Sequence, residues 1–383
     1  PRFQPDLQNL KPLFAINKEG WLSGTSGYGA TQLMFKYPLK GTFTVSAEIK
    51  DGAWGESDIA YGGILYQPAG FNKTARVTVL TGATVEFPVP NIENNKPNVE
   101  AVNVTSAAVL GLCNGETYVT DIKTASYPWA AVTHHLYRTT QLRDIRIEGE
   151  VEIPREVDLI DPTMRGWAVM NIGRSGPDPR LPIGPKQDRE EIVAKREAAD
   201  KALAEGRPKA VWSVKDGELG FLPPDDGNNY DPDSQLEYLR PLWEGETVEL
   251  TFWWEWGTSE VHPTIGRLAL MMTKEGVVPD WLRCSGDLTS RNYVTQSNLD
   301  PPASPLSTEN LPKDKAWNAV TMTRKGDSVE VALNEQPLAV VPVTDTSRPG
   351  IYRKQGLEAK IQSMKLTGNW PTELPTELME RSD

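Results

Sequence analysis

The sequence predicts an all-β protein in which one sandwich plan is used twice, the second copy being enlarged by a helical insertion. Three observations predict this. Apolar and polar residues alternate with period two along several runs, turn residues punctuate the runs, and an ordered set of landmarks recurs roughly 200 residues further on. The alternation runs along Phe43 to Ile49, Val248 to Trp256, Arg267 to Met272 and Val329 to Leu333, each reading as a half-buried strand. Asn114-Gly115 and Lys325-Gly326-Asp327 are the turn signals, since these residues tolerate the backbone angles a tight hairpin requires.

The totals agree with that class. A chain of 383 residues is long for one core and suggests two domains, and 31 glycines with 31 prolines suit a loop-rich β protein. The net charge of -12 and pI near 5.0 would repel a phosphate backbone, so nucleic acid is not an expected partner. No apolar run of about eighteen residues is present to span a bilayer as a helix. The chain begins at Pro1 without an initiator Met or leader, which reads as a processed product or a piece of a larger exported polypeptide. Cys113 and Cys284 are too few for a disulfide framework or a four-thiolate zinc site.

The repeat emerges when landmarks are aligned. Ile145-Arg146-Ile147-Glu148-Gly149 matches Met364-Lys365-Leu366-Thr367-Gly368 at an offset of 219 (364 − 145), and Tyr137-Arg138 is matched with Tyr352-Arg353. Phe14-Ala15-Ile16 answers Trp212-Ser213-Val214, and Pro38-Leu39 answers Pro241-Leu242. Glu56, Asp58, Gly62 and Ile64 answer Glu260, His262, Gly266 and Leu268, all at an offset of 204 (262 − 58). The expected domains are residues 1–152, a first sandwich, and 153–383, a second sandwich with the insertion. Gln187 to Glu205 carries that insertion, a helix supported by Glu191 before Lys195 and Glu197 before Lys201, and ended by Gly206. Its thin apolar stripe suits a helix on the sandwich surface or a lid over a site.

Several motifs carry a resemblance. Trp317-Asn318 followed by a two-strand run and a turn at Asn334-Glu335 resembles the closing hairpin of laminin-G and concanavalin-like sandwiches. Ile153-Pro154-Arg155-Glu156, Arg165-Gly166-Trp167, Val261-His262-Pro263 and Gly368-Asn369-Trp370-Pro371 resemble the paired uncharacterised domains at the C-terminal end of large planctomycete proteins. This implies a pair of concanavalin-like jelly rolls and brings no catalytic residues with it. The opening Trp212 to Leu219 is also loosely similar to jelly-roll hydrolases acting on 3-keto-glucosides, a likeness of fold.

Candidate chemistry concentrates in the second copy. Alternation sends Val248, Leu250, Phe252, Trp254 and Trp256 to one side and Glu249, Thr251, Trp253 and Glu255 to the other. A carboxylate beside an exposed indole suits sugar, whose apolar face stacks on the ring while its hydroxyls bond the acid; a second packed face is the plainer reading. Glu249 and Glu255 lie roughly 20 Å apart at about 3.3 Å per residue, too far to share one glycosidic bond. The ligand-binding candidates are therefore Trp253, Glu255, Glu249, His262 and Arg267, and the catalytic candidates Glu255, Glu260, His262 and Arg267. If they form one site, Trp253, Glu255, His262 and Arg267 should line a common groove. Glu260 and His262 also read as a structural loop lock, because the first copy keeps an acidic pair there. Asp225, Asp226, Asp231 and Asp233 form an acidic loop with oxygens that suit calcium, and equally form a solvated turn. His134-His135 would point to opposite faces of a strand, and no phosphate loop or nucleophile elbow is present.

Three functions follow: a non-catalytic carbohydrate-binding or surface-interaction module of a larger exported protein; a carbohydrate-active hydrolase or lyase with its site in the second sandwich; and a structural domain that meets other subunits. The expected location is extracytoplasmic or at the cell surface.

Overall fold

The computed structural model describes residues 14–24, 30–50, 57–68, 74–79, 84–93, 96–123, 127–135, 141–172, 212–221, 233–282, 306–342, 348–354 and 356–374. The expected helix at Gln187 to Glu205, together with Glu56, Asp225, Asp226, Asp231 and Cys284, lies outside these residues. Among the described residues the regular structure is all β, arranged as four sheets in two sandwich-like units. One unit comprises residues 1–157 and 369–383, the other residues 158–368. The last stretch belongs to the first unit because Trp370 packs edge-on against Trp129, at 5.9 Å between ring centroids.

The larger sheet of the first unit runs in the order Phe14–Ile16, Leu22–Gly24, Gln141–Glu152, Lys40–Lys50, Pro97–Val104, Ala108–Cys113, Glu116–Lys123. In the second unit the main path of an eight-stranded sheet is Trp212–Lys215, Glu218–Phe221, Ala359–Thr367, Thr247–Trp254, Ala316–Lys325, Ser328–Leu333, Gln336–Pro342. Position by position, the chain order of the strands is the same. The smaller sheets also correspond over five strands. In the second unit these are Asp233–Tyr238, Pro349–Arg353, His262–Ile265, Leu268–Thr273 and Gly276–Trp281. Each small sheet then adds one strand of its own, Thr84–Phe87 in the first unit and Trp167–Ile172 in the second, at opposite edges.

The duplication extends to individual hydrogen bonds. In the first unit Asn114 accepts from the Val99 N–H (2.9 Å) and its amide donates to Asn98 Oδ1 (2.8 Å). In the second, Asn334 accepts from the Ala319 N–H (3.0 Å) and donates to Asn318 Oδ1 (2.8 Å). Asn98 and Asn318 in turn donate to the carbonyls of Glu93 and Lys96, and of Lys313 and Ala316, respectively. All four positions are related by an offset of 220 (318 − 98 and 334 − 114). Asn114 and Asn334 both have φ of 49°, followed by Gly115 and Glu335, also at positive φ, the geometry of a type I′ hairpin. Asparagine tolerates this region, and its side chain here fixes the hairpin to the neighbouring loop.

Strand register also corrects one sequence match. Tyr352 stands opposite His262, and Thr133 stands opposite Asp58, so Tyr352 answers Thr133 rather than Tyr137. The offset of 204 that pairs Asp58 with His262 agrees with the two hairpins that follow, where Tyr61 faces Ile64 and Ile265 faces Leu268.

The cores follow from alternation. Phe43, Val45, Ala47 and Ile49 point inward in the first unit, and Val248, Leu250, Phe252 and Trp254 in the second, all nearly or fully buried. Burial of such a side chain contributes about 1.5–3 kcal/mol. The expected strand Val248 to Trp256 stops at Trp254, because Glu255 bridges back to Ser259 through a tight turn with Gly257 at φ 73°.

Candidate functional site

The strand Thr247–Trp254 presents Thr247, Glu249, Thr251 and Trp253 on the outer face of the eight-stranded sheet, with Glu249 exposed and Trp253 half-buried. Its neighbour Ala316–Lys325 places Trp317 directly opposite Trp253. The two indoles meet edge to face, with centroids 5.7 Å apart and planes at 73°, and Trp317 is 39% exposed. Beside them the Lys315 ammonium stands 3.9 Å from a Glu255 carboxylate oxygen. That pair is at the surface, where such contacts contribute little to stability, and both groups keep hydrogen-bonding capacity toward solvent.

The first copy has neither indole. Its equivalent strands pair Val45 with Val102 where the second unit pairs Val248 with Met322, and Lys50 with Pro97 where the second pairs Trp253 with Trp317.

Glu260, His262 and Arg267 lie elsewhere. His262 begins a strand of the smaller sheet and is fully buried, its ring 5.5 Å from Trp254 and stacked at 5.8 Å on Tyr352. Its Nδ1 accepts a hydrogen bond from the Met272 N–H (3.1 Å), which assigns the proton of the neutral ring to Nε2. Burial, with a smaller contribution from the Lys354 charge, holds its pKa down to about 3. Glu260 is also buried; one carboxylate oxygen takes the Gly257 N–H (2.9 Å) and the other is 3.7 Å from His262 Nε2. Arg267 occupies the turn between the smaller-sheet strands His262–Ile265 and Leu268–Thr273. The expected common groove of Trp253, Glu255, His262 and Arg267 is therefore not formed. Trp253 faces outward from one sheet, while His262 is enclosed among side chains and offers no surface to a ligand.

Asp233 is the one described member of the acidic loop. It begins the strand Asp233–Tyr238, and its carboxylate accepts a hydrogen bond from Tyr352, whose phenol burial and then that charge push upward. Among the described residues no group of three His, Cys, Asp or Glu side chains is placed to hold a metal ion. Among them, too, no helix is long and apolar enough to cross a membrane.

Family models match two parts of the chain. Residues 228–373 match DUF1583_N, a domain of unknown function, and residues 101–199 match DUF1581, a protein of unknown function. No curated protein matches the sequence. Among solved structures, the carbohydrate-binding module CBM66 from Bacillus subtilis is similar at 15% identity, covering 36% of this chain and 91% of its own, with a TM-score of 0.30. A beta-1,3-glucanase from Mycobacterium marinum is similar at 11% identity over 52% of this chain and 90% of its own, TM-score 0.31. The galectin LEC-6 from Caenorhabditis elegans is similar at 8% identity over 35% of this chain and 100% of its own, TM-score 0.24.

Sequence reasoning selected Trp253, Glu249 and Glu255 but treated Trp317 only as a hairpin landmark. The missing information was register. Extending the Asn98/Asn318 equivalence by one residue sets Trp317 where the first copy has Pro97, across from Trp253.

Proposed function

We propose that the second unit is a carbohydrate-binding module and that the Trp253–Trp317 pair is its sugar platform. The observation that carries this reading is the pair itself, an indole couple open to water on a sheet face where the sister copy folds with Lys50 and Pro97. The sandwich plan does not need those rings. A pyranose does, because its C–H face gains by covering an aromatic plane, and Glu255 and Lys315 stand within reach of its hydroxyls. On this reading the paired units attach a larger exported polypeptide to an extracytoplasmic glycan.

The test is calorimetric titration of the full chain with sugars selected from a broad glycan panel, repeated with Trp317→Ala. Truncating a surface indole leaves the inward face of its strand untouched, so the variant should keep a cooperative urea transition and lose no more than about 1 kcal/mol, the worth of a cross-strand ring pair. Affinity is expected to fall at least tenfold, about 1.4 kcal/mol. A panel without a single bound glycan, or affinity indifferent to Trp317→Ala, overturns the proposal.

A further inference from the structure

We infer that the platform takes one sugar residue of a soluble, uncharged oligosaccharide and does not bind the flat face of a crystalline polysaccharide. This rests on the carbohydrate reading above and deepens it.

The geometry points to a corner rather than a plane. A rigid ribbon of sugar chains needs aromatic rings that lie in one plane, so that successive residues stack on successive rings. Here the planes of Trp253 and Trp317 are 73° apart with centroids separated by 5.7 Å. A sugar that lies on the ring whose edge meets its partner finds that partner as a wall beside it, and the ring met on its face has that face already taken. A flat, extended surface placed on one indole collides with its neighbour, whereas a single pyranose stacks on one ring and meets the second along its edge. The length of the couple sets the same limit, since it comprises one residue from each of two adjacent strands, which are about 4.8 Å apart.

The polar surroundings select among single sugars. Glu255 lies two residues beyond Trp253, about 7 Å along the chain at an extended rise, within the width of one sugar. With Lys315 at 3.9 Å from it, a carboxylate and an ammonium stand side by side. One accepts and the other donates, which matches neighbouring hydroxyls that each do both. A uronate or sulfated sugar would gain nothing net from the Glu255–Lys315 pair, whose charges cancel, and would be repelled by a chain whose net charge is -12.

The experiment compares three kinds of ligand against the full chain. Soluble neutral oligosaccharides and their acidic counterparts are titrated, and a microcrystalline polysaccharide is used in a pull-down. Each is repeated with Trp317→Ala, Trp317→Phe and Glu255→Gln. The expected result is binding of a neutral oligosaccharide, lost at least tenfold in Trp317→Ala, largely kept in Trp317→Phe and weakened severalfold in Glu255→Gln. Retention on the crystalline solid that Trp317→Ala abolishes would overturn the corner while leaving a carbohydrate role standing. Tighter binding of the acidic sugars would overturn the selection for uncharged ones. Absence of binding in every arm would overturn the carbohydrate reading itself.

Discussion

Acidification should weaken the second unit through His262 more than through any ordinary surface group. The ring is fully buried and its Nδ1 is already occupied by the Met272 N–H, so the folded protein holds the imidazole neutral, with a pKa of about 3 against the ordinary 6.5. Above pH 6.5 neither the folded nor the unfolded chain carries this proton, and the residue adds no pH dependence. Below it the unfolded chain takes up a proton that the folded one refuses until about pH 3, so stability falls as the pH falls. Each pH unit in that window costs about 1.4 kcal/mol, which makes about 3 kcal/mol by roughly pH 4.5 and about 5 kcal/mol at its acid end. The Glu260 carboxylate, 3.7 Å from Nε2, reduces this while it stays ionised, because it would attract an imidazolium. The assay is urea denaturation followed by tryptophan fluorescence at several pH values between 7.5 and 4.5, for the wild type and for His262→Asn. Asparagine can still accept the Met272 N–H and does not titrate. The wild type should lose stability more steeply, by about 3 kcal/mol over the range. Equal slopes would refute the argument that a neutral, desolvated His262 controls acid sensitivity.

Two further outcomes concern the scaffold. Arg240 and Glu246 form a bidentate pair with both contacts at 2.6 Å, each residue almost wholly buried, and the Glu246 carboxylate also takes the Trp243 N–H. Glu246→Ala should cost about 3–5 kcal/mol in urea denaturation, because it strands a buried guanidinium, whereas replacing both residues with apolar ones of similar volume should restore most of that loss. Asn334→Ala should cost about 2–3 kcal/mol, from two lost hydrogen bonds and a non-glycine residue left at positive φ. Asn114→Ala should cost a similar amount in the first unit; a large disparity in midpoint shifts would mean that the two asparagine locks are not energetically equivalent.

The strands were legible because one face of each is buried and the other is not. Phe43 to Ile49 and Val329 to Leu333 fall on observed strands of this kind, and the inward and outward assignments of residues 248 to 254 match their burial, whereas the run Arg267 to Met272 meets the strand Leu268–Thr273 only from Leu268 onward and Ala269 to Met272 are buried without alternation. Alternation failed at His262, since His262, Pro263, Thr264 and Ile265 are buried on both faces and a doubly covered strand has no period to read. It also ran past Trp254, because Glu255 and Trp256 continue the apolar–polar alternation into the turn that Gly257 makes at φ 73° and that the Glu255–Ser259 bridge closes. The site was half legible for a related reason. Periodicity along one strand reveals which residues share a face, but not which residue of the next strand stands beside them. The partner of Trp253 depends on register.

Register becomes available once the two copies are treated as variants of one scaffold. The ladder pair Glu100–Cys113 of the first unit is Val320–Leu333 in the second, both inward-facing and buried. The pair Lys50–Pro97 is Trp253–Trp317, both facing outward. The fold has kept the same strand order and the same asparagine lock through both exchanges. An inward exchange of that kind must still satisfy a core, so it carries a packing explanation in either copy. An outward exchange that leaves two large rings partly against water gains only the cross-strand ring contact, about 0.2–1 kcal/mol, and the sister copy shows that smaller or charged residues suffice there. That asymmetry between the exchanges is why we propose a binding role for the indole pair and a structural one for His262 and Glu260, although all four residues belong to the same unit.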